Sequence, residues 1–127
     1  MDLIAAHAAK QPHRPALIEG DRSLSWDEFF HTRNRLAHAL AALGIGPGQH
    51  AVVYAHNSIE NLVAGAALRA LGAISVPMNH RLTEEEVVYV LDDADATAVL
   101  VGDAFLPMAE LRNARNQGLR VWMARVP

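Results

Sequence analysis

The chain has 127 residues, 51% of them hydrophobic and 20% charged, with a formal charge of −3 and no cysteine. A chain of that size buries roughly two thirds of its unfolded surface, enough for one core, and the missing cysteine removes thiolate nucleophiles, disulfides and Cys-ligated zinc. Eleven basic side chains face fourteen acidic ones with no basic stripe interleaved with aromatics, so nothing points to a nucleic-acid partner.

Asp2 caps a predicted helix over Leu3 to Lys10, which Pro12 stops. Ala16 to Ile18 and Ser23 to Ser25 flank Gly20 and read as a small hairpin. Ser25 with Glu28 three residues on is a capping box. It opens a long amphipathic helix with Trp26, Phe29, Arg33, Leu36, Ala37, Leu40 and Leu43 at helical spacing, and Gly44 closes it.

From residue 49 the texture alternates. Ala51 to Ala55 is a predicted strand, and Asn57 or Ser58 caps a helix ending near Gly72. Ala73 to Pro77 is the next strand. Thr83 and Glu86 form a second capping box, and Ala96 to Val101 is apolar enough for a strand buried on both faces. A weaker helix over Pro107 to Gln117 and a strand over Leu119 to Ala124 complete the series. Strands alternating with helices over short connections imply right-handed crossovers and an α/β layered, parallel-type sheet flanked by helices. The expected organisation is one subdomain over 1–127, with helix, hairpin and long helix in 1–48 and the alternating β/α region in 49–127.

The longest apolar stretch, Leu62 to Val76, is interrupted by Arg69 and falls short of the roughly 20 residues of a membrane span. The start, Met1-Asp2, has no basic n-region. A cytoplasmic protein is the expectation. Eight acids and no base lie between Leu82 and Glu110, then four arginines and no acid from Leu111 on; solvated faces of neighbouring helices account for this, or a basic tail that pairs with further chain.

The candidate chemistry is sparse. Lys10 is the only lysine and sits at the end of a predicted helix. Gly44-Ile45-Gly46-Pro47-Gly48 follows a helix and precedes a strand, the reverse of a phosphate loop, and reads as turn geometry. His31 and His38 are too far apart on one helix to share an ion, and the pair Asp27 and His31 lacks the third ligand zinc needs. No metal site is expected. Asp92, Asp93 and Asp95 lack the glycine and distal glutamate of a calcium loop. His50, His56 and His80 lie at strand and loop edges and read as surface polar residues, with no catalytic triad in reach. Asn79-His80-Arg81-Leu82-Thr83 is polar and joins a strand to a helix, where open α/β sheets gather ligands. Arg81 there either meets an anion or pairs with local carboxylates and carbonyls.

Order and wording together resemble the N-terminal portion of the adenylate-forming (AMP-binding) enzymes, which include acyl-CoA synthetases and fatty-acid–CoA ligases. Pro15-Ala16-Leu17-Ile18 with Leu24-Ser25-Trp26-Asp27-Glu28-Phe29 is similar to the family's opening hairpin and helix start. Leu43-Gly44-Ile45-Gly46-Pro47-Gly48 followed by Asn57-Ser58 is similar to its Leu-Gly-Val-x-Pro-Gly-Asp and later Asn-Ser. Ala70-Leu71-Gly72-Ala73 and Val76-Pro77-Met78-Asn79-His80-Arg81-Leu82 resemble its Gly-Ala and Val-Pro-Leu-Asn-Pro-Arg-Leu segments. Gln49, His56 and His80 depart from the family's Asp and two prolines.

The resemblance implies a partial N-terminal domain of the adenylate-forming fold. The family's phosphate loop, acyl pocket and catalytic lysine would lie beyond Pro127. It further implies that the complete enzyme activates a carboxylate with ATP and magnesium, then forms a thioester with CoA. The 127 residues by themselves are expected to be inactive and to bind none of these cofactors. Of the family's functional positions Arg81 carries over, as a contact to the CoA nucleotide; no catalytic or metal-binding residue does. The expected partners are the remainder of the enzyme, or a second copy paired through an open sheet edge at Leu119 to Ala124. The competing reading is a free-standing, non-enzymatic α/β module that binds a nucleotide, CoA or a partner protein.

Overall fold

A computed structural model describes residues 1–105 and 120–123. Among them lie α1 (Leu3–Lys10), β1 (Pro15–Glu19), β2 (Arg22–Ser25), α2 (Trp26–Ala42), β3 (His50–Tyr54), α3 (Ile59–Ala70), β4 (Ile74–Pro77), α4 (Glu84–Asp93), β5 (Ala98–Val101) and β6 (Arg120–Met123), with a 3-10 turn at Asp103–Phe105. The helix expected over Pro107 to Gln117 lies outside the described residues.

Each helix begins where its capping residue sits. Asp2, Ser25, Ser58 and Thr83 each accept a backbone N–H three residues on, and Ser25–Glu28 and Thr83–Glu86 complete both halves of a capping box. The ends of α2, α3 and α4 share one device. The residue after the cap is Gly44 (φ 90°), Gly72 (φ 73°) or Asp95 (φ 48°). The next N–H then reaches back, Ile45 to Leu40 O, Ala73 to Leu68 O and Ala96 to Leu91 O. Those bonds use up Ala73 and Ala96, so β4 starts at Ile74 and β5 at Ala98, one and two residues later than the apolar runs suggest.

The hairpin β1–β2 is antiparallel. The main sheet has the order β4-β3-β5-β6, with all three pairings parallel. Parallel pairing needs a covered sheet on both faces, and the period of two along the strands supplies it. Ala51, Val53, Ala98 and Leu100 face α2 and α3, where Ala37, Leu40, Ala64 and Leu68 meet them. Val52, Tyr54, Val99 and Val101 face α4 with Val87 and Leu91. The hairpin closes a smaller core with Phe29 of α2 and Ile59, Val63 and Ala66 of α3.

Arg33 sits on the buried stripe of α2 at 5% exposure. Its guanidinium is neutralised by Asp2, with Nη1 and Nη2 donating to Oδ1 and Oδ2 at 3.0 and 2.8 Å. The same carboxylate caps α1, accepting from Ala5 N–H at 3.1 Å. The Arg33 hydrogen bond is the chief reason the Asp2 carboxyl is held below the usual range.

Candidate functional site

The carboxyl ends of β3, β4 and β5 lie side by side, and the loops that leave them are tied down. After β3, Asn61 Nδ2 donates to the carbonyls of Ala55 and His56, both at 3.2 Å, and Ser58 Oγ donates to His56 O at 3.1 Å. After β4, Met78 N–H reaches Val53 O at 3.0 Å. Asn79 Oδ1 then accepts Arg81 N–H at 2.9 Å, an Asx turn. After β5, Gly102 N–H donates to Tyr54 O at 2.9 Å. A Cβ on Gly102 would lie 3.4 Å from that of Ala55, so the loops press together here.

This packing gathers four rings. His56 and His80 meet edge to face with centroids 4.7 Å apart, and Phe105 lies 4.7 Å from His56 and 6.1 Å from His80. Beneath them Tyr54 stacks on Phe105 at 4.5 Å. Tyr54 is 2% exposed, and its hydroxyl has no hydrogen-bond partner among the described residues; burial pushes the phenol up from its ordinary value. Arg81 follows His80 in the chain. Its side chain is exposed and makes no ion pair among the described residues, so its guanidinium is available to an anion.

The other sequence candidates fall elsewhere. Lys10 ends α1 and is exposed. His31 pairs with Asp27 at 3.4 Å on the outer face of α2. His50 works at the opposite end of the sheet, where Nδ1–H donates to the C-cap carbonyl of Ala94. The run Gly44 to Gly48 is a corner at that same end. No group of three His, Asp or Glu that could hold a metal occurs among the described residues, Asp92, Asp93 and Asp95 included.

Periodicity missed the His56–His80 contact, because the two residues belong to different loops and meet only through the β3–β4 register. The departures of both positions from proline were the available signal.

A nucleoside triphosphate with magnesium does not fit these residues. The helix N-termini at this end have amides already occupied: Ile59 N–H by Glu19, Asn61 N–H by Ser58 and Glu86 N–H by Thr83. Glu84, Glu85 and Glu86 put negative charge on the first turn of α4, which opposes a phosphate there. A single anion against Arg81 does fit.

The sequence and the architecture have counterparts. Residues 4–125 match the family model of the AMP-binding enzyme. Fatty acid–(acyl-carrier-protein) ligase ScoC of Streptomyces coeruleorubidus is 35% identical over 107 residues, which cover 82% of this chain and 20% of that protein. The medium/long-chain-fatty-acid–CoA/3-oxocholest-4-en-26-oate–CoA ligase of Mycobacterium marinum is 37% identical over 98 residues, 76% of this chain and 18% of that one. Among solved structures, the anthranilate CoA ligase AuaEII in complex with anthranoyl-AMP superposes with a TM-score of 0.88 at 26% identity, covering 95% of this chain and 24% of that chain. The chain thus spans about a fifth of the length of the curated relatives it matches. Since the family model covers all the described elements from α1 to β6, this chain belongs to the AMP-binding enzyme family.

Proposed function

We propose that the chain is the N-terminal part of an ATP-dependent acid–thiol ligase of fatty-acid metabolism in the cytoplasm. Its contribution is the parallel sheet and the anion-receiving edge at Asn79–Arg81. In the reaction proposed for the whole enzyme, a carboxylate oxygen attacks the α-phosphorus of ATP and pyrophosphate leaves. The thiol sulfur of coenzyme A then attacks the acyl carbon and AMP leaves. That the described residues supply neither the phosphate cradle nor the metal ligands such a charge-developing step needs supports the reading that the 127 residues are inactive by themselves. The match of residues 4–125 to the family carries this reading. Both named curated relatives, ligases of fatty acids to carrier protein or CoA, support the substrate class.

Arg81 meets the nucleotide phosphate of CoA. Its exposed guanidinium, which makes no ion pair among the described residues, on the loop after β4 supports that assignment. The outer strand β6 pairs with further chain of the enzyme or, failing that, with a second copy. Light scattering checks this: oligomers at high concentration are expected, and a strictly monomeric profile goes against it.

The direct test uses the 127-residue chain with ATP, magnesium, octanoate and CoA. No pyrophosphate release and no CoA-dependent rise in melting temperature are expected from it, whereas in the complete enzyme Arg81→Ala should weaken the apparent affinity for CoA. Pyrophosphate release by the chain itself would overturn the division of labour. An unchanged apparent CoA affinity in Arg81→Ala of the complete enzyme would overturn the role of Arg81.

A further inference from the structure

A second recognition feature lies away from the sheet's carboxyl end, on the helical side of the molecule. A cavity of about 570 Å³ opens between the start of α1, the middle of α2 and the second half of α3, within the size range of small-molecule sites, about 300–1,000 Å³. Ile4, Ala66 and Ala70 give it an apolar wall, and Asp2, Arg33 and Arg69 give it charge. We infer that this cavity binds an amphipathic oxyanion, a short aliphatic carboxylate or phosphate monoester, with Arg33 and Arg69 holding the head group and Ile4, Ala66 and Ala70 covering the chain.

The hydrogen-bond count at Arg33 points to the head group. A guanidinium has five N–H donors. Arg33 uses Nε on Asn34 Oδ1 at 2.9 Å and one N–H from each Nη on Asp2. Two donors remain without an acceptor among the described residues, on a side chain 5% exposed whose open part faces this cavity. A buried donor left unpaired is unfavourable, and an oxyanion in the cavity relieves the one on the edge of the guanidinium that faces it.

Arg69 supplies the second charge. It has no ion pair among the described residues, and its Nη1 lies close over Gly65, 3.2 Å from where a Cβ would be. Two guanidinium groups against one carboxylate leave the cavity with a net positive charge, which selects an anion over a cation or a neutral alcohol. The apolar side chains of Ile4, Ala66 and Ala70 in the lining distinguish an aliphatic ligand from a bare ion.

The site shares no residue with Asn79–Arg81, so it stands or falls apart from the ligase reading. The test is a nuclear magnetic resonance titration of the 127-residue chain with octanoate and with hexyl phosphate, against inorganic phosphate and 1-octanol. Saturable shifts of the Ile4, Ala66 and Ala70 amides with either amphipathic anion are expected, and the tighter of the two identifies the head group. Arg69→Gln, an exposed change that leaves the core intact, should weaken binding about tenfold; Arg33→Met should abolish it where that variant stays folded. The proposal is overturned by no saturation up to about 5 mM, by equal shifts with 1-octanol or inorganic phosphate, or by unchanged affinity in Arg69→Gln. The Asn79–Arg81 amides in the same spectra show whether these anions also reach Arg81, so the two sites are read separately.

Discussion

Glu19, the last residue of β1, accepts the first N–H of α3, with its Oε1 3.0 Å from the nitrogen of Ile59. The hairpin thereby caps a helix that starts 40 residues later in the chain, adding to the cap that Ser58 provides. Glu19→Ala should cost about 1 kcal/mol in urea unfolding, the usual worth of a helix cap. Amide exchange at Ile59 and Glu60 should accelerate more than in α2. The neighbouring Arg22 pairs with Glu60 and, at 3.4 Å, with Glu19, and that hydrogen bond from Arg22 holds the Glu60 carboxyl below its ordinary value. Because Arg22 is exposed, its loss should matter less than loss of the cap.

The Asp2–Arg33 pair makes stability depend on pH. A carboxyl whose pKa is lowered by folding adds stability above its unfolded pKa, about 4, and loses it as pH falls through the folded value. Asparagine also caps helices well, so Asp2→Asn isolates the charge. Its deficit relative to the parent should be full at pH 7 and should close below about pH 4. Asp2→Ala removes the cap as well and should cost about 1–2 kcal/mol, moderated by the 46% exposure of the Asp2 side chain. Melting curves of the three chains at pH 3 and pH 7 check both points.

Asp95 occupies the left-handed position after α4 that glycine holds after α2 and α3. Asp95→Gly should therefore stabilise the chain by about 0.5 kcal/mol, while Gly72→Ala should destabilise it by about 1 kcal/mol. In Gly72→Ala the new Cβ would meet Pro47 at an ordinary 3.5 Å, so the loss comes from the backbone angle. Denaturant midpoints at constant slope give the comparison.

Leu68 is 0% exposed and lies between α3 and the sheet. Leu68→Ala should cost about 3 kcal/mol by removing packing and leaving a cavity, enough to threaten a fold of this size. Calorimetry would register a clear drop in melting temperature.

What the chain reveals locally it reveals well. Ser25 with Glu28 and Thr83 with Glu86 start helices where the capping pattern puts them, because both partners lie within one turn. Gly44 and Gly72 stop helices for an equally local reason, the sign of φ. Arg33 fell on the apolar stripe by spacing, but its partner Asp2 is 31 residues away, and no periodic pattern connects them. His56 and His80 read as separate polar residues because the β3–β4 register that joins them is non-local. The place of Arg81 at the carboxyl end of β4 was legible from strand order, whereas its freedom from local carboxylates depended on side-chain positions.

The two ends of the sheet are written in different materials. At the amino ends, main-chain groups make the corners: Gly48 to Gly72, Ile74 to Gln49, Thr97 to His50, and the three reversals after the helices. At the carboxyl ends, the side chains of Ser58, Asn61, Asn79 and Thr83 do much of that work. Apart from His50, Gln49 and Thr97, whose side chains also bond main-chain groups there, substitutions at the first end leave the wiring in place wherever φ permits. At the second, each change of side chain rewires a loop. A lineage varying this sequence therefore holds a fixed chassis at one rim and an editable one at the other, where the rings and Arg81 stand.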